Sequence, residues 1–189
     1  MQKDKAVIHL HKPEASEMMF FFLCGVVISV PLTLFIYQYS NTLMAGLNPL
    51  IASFIARAIF APFVEEFAKA YPLFYRHGET ERSIFSIALS VGIGFAIVEL
   101  VTYVSALEVP VVTRLPGLFF HPTSTSITAY GVATKRPLPY YLMAVFLHFS
   151  YNFLVLTGPI GVSGAVFVML LTVLASWQLQ KRTKEKIVI

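Results

Sequence analysis

The chain has 189 residues, 57% of them hydrophobic and 13% charged, with a formal net charge of +4. A soluble domain carries roughly 25% charged residues, and a mean hydropathy of +0.72 points instead to a polytopic membrane protein. Spanning helices consume nearly the whole length, and the positive charge sits in termini and short loops. It sets topology and meets lipid, and nucleic-acid binding is excluded as its purpose.

The fold class expected is an all-α polytopic membrane helix bundle, a single integral-membrane domain over residues 1–189. About six transmembrane helices are predicted, at 18–39, 49–75, 83–107, 111–133, 138–156 and 160–179. The first is long and lacks a small-residue cleavage pattern, so it reads as a retained helix. It holds the lone cysteine, Cys24, so no intrachain disulfide can form. Lys3, Lys5 and Lys12 precede it, Arg76 and Arg82 fall in the second loop, and Lys135 and Arg136 in the fourth. Lys181, Arg182, Lys184 and Lys186 follow the last span, while the first and fifth loops have no Lys or Arg. This alternation predicts cytoplasmic termini. Arg114, near the outer end of the fourth span, breaks the pattern.

Two spans look irregular. Asn48-Pro49 reads as an N-cap followed by proline at the first helical position. A straight helix from there to Tyr75 would measure ~40 Å against ~30 Å of hydrocarbon, and Pro62 is the expected kink. Pro122 disfavours helical geometry at His121, predicting a broken or re-entrant fourth segment. The Thr123–Thr128 stretch fits a polar-lined wall. Ser90, Gly92 and Gly94, and Gly158, Gly161 and Gly164, read as close helix contacts.

Glu65 and Glu66 lie side by side inside the second span, pointing about 100° apart on a helix. An unpaired intramembrane carboxylate costs several kcal/mol, so chemistry is the expected reason for the pair. Helix rise puts Glu65 and His148 ~16 Å from the cytoplasmic ends, His121 ~20 Å and Glu99 ~24 Å. Asn152 is one turn beyond His148 on the same face. The plainer readings are a Glu65–Lys69 ion pair or snorkelling for Lys69, and an outer-interface role for Arg57. No role is expected for Glu108, His9, His11 or His77.

These residues also resemble a known family. Glu65-Glu66-Phe67-Ala68-Lys69, followed by Phe95 and Glu99, is similar to the EExxK and FxxxE motifs of the PrsW intramembrane proteases. Arg114 and His121, leading to Tyr130-Gly131, resemble the next block, and His148 with Asn152 the final HxxxN/D motif. The resemblance runs from about Pro62 to Asn152. It extends to a superfamily with the CAAX prenyl endopeptidases, the bacteriocin-processing proteins and the scaffold subunit of γ-secretase.

The resemblance implies an endopeptidase acting on membrane-anchored proteins or peptides in the bilayer of a prokaryotic cell. Glu65 or Glu66 is the expected general base, and His148 and Asn152 the oxyanion donors. A His₂-carboxylate set of Glu66 or Glu65, Glu99, His121 and His148 suits Zn²⁺. No HExxH helix is present, and a glutamate–water mechanism stands open beside the metal one. The alternatives are a noncatalytic membrane scaffold and a small proton-coupled transporter.

Overall fold

A computed structural model describes residues 12–75, 80–106 and 108–188. Lys3, Lys5, His9, His11, Arg76 and His77, named above, lie outside the described residues.

The described chain is helical throughout, apart from short connections and one isolated backbone bridge between Thr80 and Ile187. In order, α1 is Ala15–Leu43, α2 Pro49–Phe54, a π-helical turn Ile55–Phe60, and α3 Ala61–Phe74. Then follow α4 Glu81–Ala106, α5 Val111–Arg114, α6 Gly117–Ala133, α7 Pro137–Leu156 and α8 Pro159–Arg182. Grouped by continuity, these helices fill the predicted spans, and the all-α membrane bundle holds. By length and hydropathy, four stretches can cross a bilayer alone: Ala15–Ile36, Glu81–Ala106, Pro137–Leu156 and Ile160–Arg182. The α2–α3 run and α6 carry the inward polar residues that lower their hydropathy.

Asn48 caps α2 as expected, its Oδ1 accepting from Leu50 N at 2.9 Å, with Pro49 opening the helix. The irregularity expected at Pro62 is the π-helical turn just before it. In the fourth span the break falls earlier than expected. α6 runs unbroken through Pro122, and the chain bends instead around Leu115-Pro116, between α5 and α6. Pro122 lies inside α6, where a proline removes one backbone hydrogen bond and crowds the carbonyl four residues back. Nearby hydroxyls bond back to the helix: Thr123 Oγ1 to Phe119 O at 2.7 Å and Thr125 Oγ1 to His121 O at 2.7 Å.

Met18, Leu73, Ile84, Ala133 and Val188 pack in one cluster. The start of α1, the ends of α3 and α6, the start of α4 and the C-terminal segment therefore share one face of the bundle. α1 and α4 run parallel, Phe22 meeting Gly94 as Met18 meets Ser90. A Cβ on Gly94 would overlap Phe22 O, and one on Gly92 would overlap Pro122 Cα and His121 O. Glycine thus sets the α1–α4 and α4–α6 spacing. α3 is inside-out. Glu65, Glu66 and Lys69 are buried, while Phe63, Phe67, Tyr71 and Phe74 are exposed towards lipid.

Candidate active site

The adjacent glutamates of α3 part company, as their helical spacing requires. Glu66 is fully buried, and its Oε1 accepts from Lys69 Nζ at 2.7 Å, from Ser124 Oγ at 3.1 Å and from His148 Nδ1 at 2.8 Å. Glu65 borders a cavity of about 430 Å³. Its Oε2 is buried without a hydrogen-bond partner and lies 3.8 Å from His148 Nε2.

Lys69 neither pairs with Glu65 nor snorkels, contrary to both expected readings. It is fully buried, and its three N–H bonds have three acceptors: Glu66 Oε1, His121 Nδ1 at 3.0 Å and Ser124 Oγ at 3.4 Å. Glu66 wins over Glu65 because it faces α6, which carries the other two acceptors, His121 Nδ1 and Ser124 Oγ.

The ammonium donates to His121 Nδ1, so the imidazole proton sits on Nε2, which meets Glu99 Oε2 at 2.6 Å. Glu99 Oε1 accepts from Arg114 Nη2 at 2.7 Å. Since Glu66 is an acceptor beside Lys69, His148 Nδ1 is the donor, leaving the Nε2 lone pair directed at Glu65. Phe120 packs on both imidazoles, with centroids 5.6 Å from His121 and 5.1 Å from His148. Tyr151 stacks on Phe120 from the other side, at 4.8 Å.

Glu65, Glu66, Glu99, His121 and His148 therefore form one cluster, drawn from α3, α4, α6 and α7. Asn152 borders the same cavity, but its Nδ2 donates to the backbone oxygen of Arg57 at 2.9 Å. Arg57 reaches the cavity from the π-helical turn with an exposed side chain. Sequence reasoning gave Arg114, Ser124 and Tyr103 no place in the chemistry. Arg114 ties down Glu99 and lies over the Tyr103 ring, 3.6 Å from its centroid, and both line the cavity. Its signal was present as the cation that broke the charge alternation. Ser124 was legible only as part of the polar Thr123–Thr128 stretch, and Tyr103 had no signal, because single hydroxyls in apolar helices are common.

A model of the PrsW family of intramembrane metalloproteases matches residues 14–177. The chain belongs to the PrsW family. It is accordingly an intramembrane protease of the metalloprotease type, acting on protein or peptide substrates within the membrane, and the scaffold and transporter alternatives are not favoured. No curated protein and no solved structure matches the chain.

The PrsW description implies a metal, and the donor set accommodates one. One ligand atom each from Glu65, His121 and His148 lies within 4.8 Å of the others. Glu65 Oε2 has no hydrogen-bond partner, and its 3.8 Å separation from His148 Nε2 is close to the roughly 3.4 Å between two ligands of a tetrahedral zinc. His121 joins such a set by giving up one of its two contacts, to Lys69 or to Glu99. Charge agrees. Lys69 and Arg114 compensate Glu66 and Glu99, and Glu65 faces no comparable cation at hydrogen-bonding distance among the described residues.

Proposed function

We propose that this PrsW-family protease hydrolyses peptide bonds of membrane-anchored proteins at the floor of the Glu65 cavity, with Glu65 as general base. The observation that carries the proposal is Glu65 itself. It is a buried carboxylate with one unpartnered oxygen against His148, bordering a cavity large enough for a peptide segment.

The walls come from Leu34 and Ile36 of α1, Ala52 and Ala56 before α3, Ala106 of α4 and Val155 of α7. These apolar and small residues suit an extended stretch of a transmembrane segment. They lie towards the helix ends remote from the face shared by Met18 and Val188. With cytoplasmic termini, as the charge alternation favours, substrate enters from the extracytoplasmic side.

Glu65, His121 and His148 would hold the metal, with zinc the ion that the ligand types favour. When bound, the ion supplies Lewis-acid polarisation and raises the acidity of water. Glu65, which borders the cavity, takes the proton of the attacking water and returns it to the leaving amine. Glu66 holds the His148 ring through Nδ1, and Glu99 holds His121 through Nε2, so each imidazole keeps a defined tautomer. Arg114, fixed by Glu99 and bordering the cavity, offers its remaining N–H groups to the oxygen that gains charge as the carbonyl is attacked.

The test is cleavage of a panel of single-span membrane proteins in proteoliposomes, scored by mass spectrometry, with circular dichroism reporting the fold. Wild type should cleave at least one, and Glu65→Gln should lose ~10²–10⁴-fold in rate while folded. Equal cleavage by folded Glu65→Gln overturns the assignment of the base. A wild type that cleaves nothing yet binds a membrane partner stably overturns the protease reading of the site.

A further inference from the structure

We infer that Asn152 is a positioning residue: it caps the backbone carbonyl that Pro62 leaves without a donor, and so holds the register in which α3 presents Glu65 and Glu66. The inference rests on the proposed role of Glu65 only where catalysis is the readout.

At the junction of the π-helical turn and α3, Ala61 N–H bonds to Ala56 O, five residues back. Ala61 would be the donor to Arg57 O in an α-helix, and it is already committed. In the π register the donor to Arg57 O would be residue 62, which is proline and has no N–H. Arg57 O therefore has no donor from its own helix. Asn152 Nδ2 supplies one from α7 at 2.9 Å. The bond is exposed beside the cavity, and where it is lost no lipid group can replace it.

The consequence runs along α3. Pro62 is three residues before Glu65, so the geometry of this turn fixes the azimuth of both glutamates. A π turn that relaxes into α geometry rotates everything beyond it by about 100°, one residue's worth of helix. Glu66 would then leave Ser124 on α6 and His148 on α7, and Glu65 would leave the cavity. Asn152 is the fourth residue after His148 on α7, so one helix face fixes both ends of the arrangement. His148 grips Glu66, and Asn152 grips the turn that aims it.

This assigns the amide a role different from oxyanion donation, and a second-site substitution separates the two. Pro62→Ala restores an N–H five residues beyond Arg57, continuing the existing π ladder. The variants are Asn152→Ala, Pro62→Ala and the double substitution, with Glu65→Gln as the floor. Cleavage is read as kcat and KM separately, and amide hydrogen exchange is followed across residues 55–61.

Asn152→Ala should lower kcat by tenfold or more with KM little changed, and exchange in 55–61 should accelerate about fivefold, as for the loss of one hydrogen bond. Pro62→Ala alone should remain within a few fold of wild type. The double variant should recover to about the Pro62→Ala level in both readouts. If Asn152 instead donates to the oxyanion, a loss of ~10²–10³ persists on the Pro62→Ala background, and that result overturns the inference. So does unchanged exchange in Asn152→Ala. If wild type shows no cleavage, the exchange arm still decides the Asn152–Arg57 link, while the failure belongs to the proposed function.

Discussion

His148 Nδ1 lies 2.8 Å from Glu66 Oε1, whereas His148 Nε2 faces Glu65 Oε2 at 3.8 Å. One imidazole thus stands between two consecutive glutamates and treats them differently, bonded to the first and open to the second. The pair divides into a carboxylate that orients and a carboxylate that addresses the cavity. The same division tells the two glutamine variants apart.

In the metal-free protein Glu65→Gln removes a buried charge that has no hydrogen-bonded cation, so its melting temperature should equal or exceed that of metal-free wild type even though cleavage is lost. Glu66→Gln strips Lys69 of its counter-charge, and breaking a buried pair from one side costs about 3–5 kcal/mol. Thermal unfolding in detergent of the two single variants checks this. A larger loss of stability in Glu65→Gln than in Glu66→Gln would reverse the roles.

Lys69→Met leaves Glu66 buried without a cation and deprives His121 Nδ1 of its donor. Yield and stability should fall by an amount similar to that in Glu66→Gln. Adding Glu66→Gln should restore part of the loss, because the uncompensated charge goes with it. A double-mutant cycle on unfolding measures the recovery, and strict additivity of the two losses would show that the pair is not coupled.

Purified wild type should retain a stoichiometric divalent metal, measured by elemental mass spectrometry. Glu65→Gln and His148→Ala should lose most of it. Glu66→Gln, acting behind His148, should weaken it by about 10–100-fold. A chelator should abolish cleavage, and the ion should restore it. Carefully purified active protein without metal would assign the chemistry to glutamate and water alone.

Gly92→Ala places a methyl group against Pro122 Cα and His121 O, both backbone atoms that cannot swing aside. Overpacking of this kind costs about 1–3 kcal/mol, and moving α6 displaces His121 from Glu99. Gly94→Ala crowds Phe22 O on α1 instead, away from the cluster. Stability should fall in both, while cleavage per folded molecule should fall in Gly92→Ala only. Unfolding and cleavage assays on the two variants make the comparison.

Single cysteines at positions 3 and 184, introduced on a Cys24→Ala background, should both react with membrane-impermeant reagent from the cytoplasmic side only. The loop after α7, near Gly158, should react from the opposite side. Opposite labelling of positions 3 and 184 would exclude an even number of crossings.

Much of this arrangement is legible in the sequence for physical reasons. Apolar runs of bilayer length dictate helices, and Asn48-Pro49 dictates where α2 begins. The expense of burying Glu65, Glu66, Glu99, His121 and His148 one by one predicts that they meet. Helical spacing also separates Glu65 from Glu66 by about 100°. It does not say which of them faces Lys69, since i+3 and i+4 partners are equally near along a helix. That choice belongs to α6 and α7, whose Ser124, His121 and His148 lie on the Glu66 side. The bend expected at Pro122 falls at Leu115-Pro116, while α6 runs on through Pro122 and Gly92 lets α4 pack closely against it. The donor that completes the turn before Pro62 comes from Asn152, 95 residues away from Arg57 along the chain. Local sequence reports which groups must be satisfied. Only the packing of helices distant in sequence determines which partner satisfies each one.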